Sequence, residues 1–147
     1  MVSKKTQVFN FADGSDNRSV KTDSVHWLGT LLTNNEDKLV DLDSASSHID
    51  KLLSKGQVQA LGKVGHSFSD ESGQQGFTLV YCLAESHIAV HTWPEHRAVE
   101  LDVYLCNHTN DNRNKCQSIY TSIVDYFEVN KQVSKDIRRP NLANLAG

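Results

Sequence analysis

Between Val99 and Cys106 apolar and polar residues alternate without a break, with Val99, Leu101, Val103 and Leu105 in one set and Glu100, Asp102, Tyr104 and Cys106 in the other. A period of two sends the sets to opposite faces of a strand, so one face is core and the other is left for solvent, a partner or chemistry. A different period runs from Cys116 to Phe127. There Cys116, Ile119, Tyr120, Ile123, Val124 and Phe127 recur at helical spacing, behind the N-cap candidates Asn110, Asp111 and Asn112.

The rest of the chain divides on the same grounds. Val25–Leu32 reads as a first strand, followed by a turn over Thr33–Asp37. Leu42, Ala45, Ile49, Leu52 and Leu53 predict a helix that stops at Gly56. Val58, Ala60 and Val64 lie in a second strand running towards His66 and Phe68, and Ser69–Gln75 is a polar loop. Phe77–Glu85 is a third strand and Ile88–Trp93 a fourth, with a sharp bend at Ser86 and His87 between them. Val129, Val133 and Ile137 predict a last strand within Glu128–Arg139.

This order predicts an α+β fold, a two-layer sandwich in which two amphipathic helices cover one face of a largely antiparallel sheet. The other face is then either polar or covered by a second copy, which predicts a homodimer. Residues 1–24 read as a flexible leader, 25–139 as the single domain and 140–147 as a tail.

Composition narrows the function. A chain of 147 residues with 38% hydrophobic content closes one core, and a net charge of −3 gives no field for nucleic acid or an anionic membrane. No apolar run approaches the roughly 18 residues of a membrane span, and no secretory segment opens the chain, so a cytoplasmic location is expected. Cys82, Cys106 and Cys116 are an odd number without CxxC spacing, which argues against a disulfide framework and a zinc site. Cys82 and Cys116 read as core positions.

Chemistry concentrates between Ala84 and Glu95. A carboxylate, a hydroxyl and two imidazoles, Glu85, Ser86, His87 and His91, stand where a strand would be apolar, and unpaired burial of such groups costs about 1 to 3 kcal/mol each. His87 and His91 are four apart, but in an extended chain that spacing does not converge, and no metal is expected. Trp93 and Pro94 end the strand and orient Glu95.

Glu85-Ser86-His87, His91-Thr92-Trp93-Pro94-Glu95 and Asp102-Val103-Tyr104-Leu105-Cys106, with Ser86 five positions before His91 and twenty before Cys106, closely resemble the prokaryotic S-adenosylmethionine decarboxylases. The resemblance implies a pyruvoyl-dependent, self-cleaving zymogen of polyamine and spermidine biosynthesis that pairs as a dimer of processed protomers. It implies cleavage between Glu85 and Ser86, whose hydroxyl attacks the Glu85 carbonyl, with Ser86 becoming the covalent pyruvoyl group that forms a Schiff base with the substrate amine. By the same resemblance His91 serves the elimination step, Thr78 assists processing, Cys106 returns a proton to the substrate, Glu95 binds the ribose hydroxyls and Phe68 stacks on adenine. The product would be decarboxylated S-adenosylmethionine, an aminopropyl donor, and CO₂.

The chain also departs from the pattern. The loop Ser69–Gln75 is acidic at Asp70 and Glu71 and longer than the family's by about four residues, while Leu79 and Asn107 replace usual glycines. An acidic loop suits the distal cation of ornithine or arginine as well as a sulfonium, so the same chemistry on L-ornithine or L-arginine is an alternative. An unprocessed, non-catalytic regulatory partner is a second.

Overall fold

The computed structural model describes residues 22–69, 71, 73, 75–108 and 110–145. The alternating segments become six strands: β1 (Ser24–Thr33), β2 (Ala60–Ser67), β3 (Phe77–Leu83), β4 (Ser86–Trp93), β5 (Ala98–Leu105) and β6 (Val129–Arg139). They form one sheet in the order β2-β3-β4-β5-β1-β6, and every neighbouring pair is antiparallel. The expected α+β sandwich is therefore present.

The two helical stripes become α2 (Leu42–Lys55) and α3 (Arg113–Tyr126), joined by short α1 (Glu36–Val40) and α4 (Leu142–Leu145). Glu36 and Asp37, read as the end of a turn, instead coil with the next three residues into α1, where Leu39 is fully buried. Register explains which sheet face the helices cover. Leu79, Val90, Leu101 and Gly29 lie side by side across β3, β4, β5 and β1, and that face joins Ala45, Ile49 and Leu53 of α2 and Cys116, Ile119, Tyr120 and Ile123 of α3 in one core. Each large aliphatic side chain buried there contributes roughly 1.5 to 3 kcal/mol.

Gly29 is required by that packing. A Cβ on it would stand 1.9 Å from the Tyr120 hydroxyl, which bonds to Ser134 at 2.6 Å while the Tyr120 ring stacks on Trp27. Cys116 is buried as expected, its thiol donating to the Val25 and Val103 carbonyls, and burial pushes its pKa up to about 12. Cys82 is not a core position. It alternates with buried Tyr81 and Leu83 and is exposed on the opposite sheet face, because Phe77–Leu83 carries apolar residues on both faces and composition alone does not say which is inside.

That opposite face is the open one. Across it run rows of paired residues: Thr78, His91, Glu100, Thr30 and Val133, then Val80, Ala89, Asp102, Leu28 and Lys135. No described helix covers them, and Val64, Val133 and Ile137 leave apolar surface exposed among the charges. No described helix is long and apolar enough to cross a membrane.

Candidate active site

The turn between β3 and β4 occupies only Ala84 and Glu85, so Leu83 pairs with Ser86 and the bend falls two residues earlier than the sequence suggested. A loop this short must be turned by unusual backbone angles. Ser86 takes them, at φ 152°, a conformation that L-residues rarely adopt and that stores of the order of 1 to 3 kcal/mol. The peptide before it is held from the far side. The Cys106 N–H donates to the Glu85 carbonyl at 2.8 Å, and the Asn112 side-chain amide donates both to the Glu85 carboxylate and, at 2.9 Å, to the Cys106 carbonyl.

Glu85, Ser86 and Cys106 thus meet at one end of the sheet. Tyr104 borders them on the open face, where burial pushes its phenol up and the neighbouring Cys106 sulfur acts in the same direction. Arg139, which pairs with Ser24 in β1, lies over the Tyr104 ring at 4.4 Å.

Thr78 and His91 meet elsewhere. They face each other across the β3–β4 ladder, with Thr78 Oγ1 3.0 Å from His91 Nδ1. Trp93, Pro94 and Glu95 continue from the same end of β4, and Glu95 is exposed on the 3₁₀ turn Pro94–His96. Thr92 fixes this end from below: buried, it accepts the Phe77 N–H at 2.8 Å and donates to the Leu39 carbonyl at 2.7 Å. Phe68 also belongs here, just past the end of β2 where His66 pairs with Thr78, and it is half exposed with its ring edge against His66.

The expected site residues therefore fall into two groups at opposite ends of β4. Five residues of extended strand separate Ser86 from His91, roughly 16 Å at about 3.3 Å per residue. No side-chain rotation closes that gap. Within one chain, His91 and Thr78 do not reach Ser86.

Between the groups lies a cluster that sequence reasoning missed. His26, His87 and Asp102, from β1, β4 and β5, bring one ligand-type atom each within 4.8 Å of the others. His26 bonds to the Asp102 carboxylate, and His87 Nε2 stands 3.4 Å from it. His87 does not converge with His91, as its spacing implied, but strand order supplies other neighbours. A cavity of about 370 Å³ opens on the same face, lined by Thr30, Ala89, His91, Glu100, Asp102 and Lys135 among others.

Fold and site together define a two-layer α+β sandwich with its chemistry on the uncovered sheet face and at the hairpin that borders it. Residues 25–140 match the family model for S-adenosylmethionine decarboxylase, and the chain belongs to that family. It is similar to the S-adenosylmethionine decarboxylase proenzyme of Archaeoglobus fulgidus, 28% identical over 85 residues that span 58% of this chain and 72% of the relative. The proenzyme of Hydrogenobaculum sp. is 33% identical over 87 residues, 58% of this chain and 61% of the relative. That of Aeropyrum pernix is 52% identical over a shorter stretch of 40 residues, 26% of this chain and 31% of the relative. The fold is like that of the adenosylmethionine decarboxylase from Aquifex aeolicus, with a TM-score of 0.70 at 24% identity over 82% of this chain and 93% of that one.

Proposed function

We propose that this chain is the proenzyme of a pyruvoyl-dependent S-adenosylmethionine decarboxylase, cleaved by its own residues between Glu85 and Ser86. The observation that carries the reading is the Glu85 carbonyl held on the Cys106 N–H next to a strained Ser86. An acyl shift needs a carbonyl polarised by a fixed donor and a hydroxyl one residue on, and a backbone N–H serves as that donor whatever the side chain does.

The steps balance on the chain's own atoms and water. Ser86 Oγ attacks the Glu85 carbonyl carbon, the C–N bond breaks and an ester replaces the amide. Elimination then takes the Cα proton of residue 86 and expels the Glu85 carboxylate. Water replaces the nitrogen, ammonia leaves, and a ketone blocks the new chain start. The residues around position 86 fit such a group, since it is made in place from a serine that stands opposite Leu105 at the start of β4, beside Cys106. A pyruvoyl group supplies a ketone that captures a substrate amine and draws electrons from a departing carboxylate. Cys106, beside residue 86, is suited to return a proton to the substrate carbon.

The elimination base comes from a second copy. His91, oriented by Thr78, is too far from its own Ser86, but a two-fold axis lying between two facing sheets, perpendicular to β4 and level with its middle, brings it over Ser86 of the facing copy. Two open faces packed this way cover Val64, Val133 and Ile137 and complete two sites, each with Ser86 and Cys106 from one chain and Thr78, His91, Glu95 and Phe68 from the other. Glu95 then accepts from the ribose hydroxyls, and Phe68, already exposed, stacks on adenine. The ornithine and arginine alternatives rested on a loop of which Asp70, Ser72 and Gln74 lie outside the described residues.

Denaturing mass spectrometry of the purified protein tests the reading, followed by CO₂ release from carboxyl-labelled S-adenosylmethionine, ornithine and arginine. Two fragments meeting at residues 85 and 86, with turnover of S-adenosylmethionine and neither process in Ser86→Ala, are expected. An intact chain that turns nothing over would defeat the enzyme reading.

A further inference from the structure

Asn112 occupies the N-cap of α3, where an asparagine normally folds its side chain back onto the helix, yet it makes no such bond. Its amide is directed across the molecule. One of its two N–H groups goes to the Glu85 carboxylate and the other to the Cys106 carbonyl, so a single buried side chain joins the residue whose carbonyl carries the bond to be cut to the residue whose N–H holds that carbonyl. The Cys106 N–H to the Glu85 carbonyl closes the third side of this latch. Behind it, the Asn112 N–H donates to Asn107 Oδ1 at 2.8 Å. Asn107, also buried, is tied to Ser24 through its backbone N–H and to the Thr22 and Asp23 carbonyls through its side chain.

A residue at φ 152° stays there only while its surroundings over-determine it. We propose that Asn112 is a positioning residue for self-cleavage, holding Glu85 on the Cys106 amide so that the hairpin cannot relax away from the reactive conformation of Ser86. The proposal rests on the self-processing reading above. It adds a residue that acts through Glu85 and Cys106 and touches neither substrate nor the reacting atoms.

The test follows the rate at which freshly purified precursor splits at 85/86, with thermal unfolding recorded on the same samples. Asn112→Ala loses both donors, and a rate at least tenfold lower in a chain that still unfolds cooperatively is expected. Asn112→Asp sets a carboxylate against that of Glu85. Its deficit relative to the unsubstituted chain at the same pH should shrink from pH 8 to pH 5 as a proton is shared between the two. It should shrink again in the Asn112→Asp, Glu85→Gln double variant, where an amide once more faces a carboxylate. The other ionisable groups nearby are Lys115 of α3, which lines the same 220 Å³ cavity as Glu85 and Asn112, the Asp111–Arg113 ion pair, Cys106, His108 and Asp23; Gln57 and Gln59 face it from the α2–β2 connection without charge.

Cleavage of Asn112→Ala within twofold of the unsubstituted rate would overturn the proposal. So would an Asn112→Asp deficit that is the same at every pH and in the double variant, which is what a merely structural loss gives. If Asn112→Ala does not fold, the aspartate pair of variants decides alone. Failure of the unsubstituted chain to split would remove the self-processing reading and this proposal with it.

Discussion

The two ends of β4 carry similar groups and are built in opposite ways. At the Ser86 end the backbone is strained, and the carbonyl, carboxylate and loop are held by the Cys106 N–H and by Asn112. At the His91 end the ladder is regular, and a hydroxyl and an imidazole meet simply because positions 78 and 91 are register partners. Strain belongs where a bond is to break once, because cleavage releases it. A base that must act from a fixed position gains from a regular strand, where nothing relaxes after the event.

The largest effect follows from the distance between the ends. Co-expression of Ser86→Ala with His91→Ala gives mixed pairs in which one site has an intact Ser86 facing an intact His91. The His91→Ala chain should then split, although it stays whole when expressed alone. Should it remain whole in the mixture, the base acts within its own chain and the facing-copy arrangement is wrong. Next in size is Cys106→Ala. Any residue keeps the backbone N–H that holds the Glu85 carbonyl, so cleavage should persist, while loss of the thiol lowers decarboxylation by the order of 100-fold. Single-turnover assays on the cleaved variant separate the two. Thr78→Ala removes one hydrogen bond from His91 and should slow cleavage by up to about tenfold, the range of one bond worth about 0.5 to 1.5 kcal/mol. An unchanged rate would show that the imidazole needs no orienting partner.

Much of this was legible in the chain. The alternation in β5 and the stripe in α3 are strong periods, and the structure adopts both. Ser86 and His91 stood out because polar groups replaced apolar ones on a strand, and Cys106 through the family resemblance. The meeting of Thr78 with His91 was also within reach: once the hairpin turns on two residues, pairing partners have a constant sum, and 83 with 86 implies 78 with 91. Placing the bend at Ser86 and His87 hid that arithmetic. The cluster of His26, His87 and Asp102 was not legible, because it depends on β1 inserting beside β5, a strand order that no local period encodes. Asn112 was one of three N-cap candidates and was not read as a latch, since a side chain's long-range partner is set by packing and not by its neighbours in sequence.

The smallest expected effect separates the two ends by stability. Gly76 is buried just before β3, and a Cβ on it would stand 2.6 Å from the Thr92 carbonyl oxygen and 3.0 Å from Pro94. A clash with backbone cannot be relieved by a rotamer, so Gly76→Ala must push β4 outwards at Thr92, the residue that ties Phe77 and Leu39 beneath His91 and Glu95. Overpacking of this kind costs about 1 to 3 kcal/mol, a fall of several degrees in the thermal midpoint. The Ser86 end lies at the other end of the strand and should be untouched. Paired with Ser86→Ala, which lends an intact His91 end, the Gly76→Ala chain should therefore split at the normal rate, whereas paired with itself it should split slowly. Equally slow cleavage in both pairings would mean that the two ends of β4 are not independent and that the push at Thr92 is transmitted along the strand, whereas normal cleavage in both would mean that the His91 end tolerates the added Cβ.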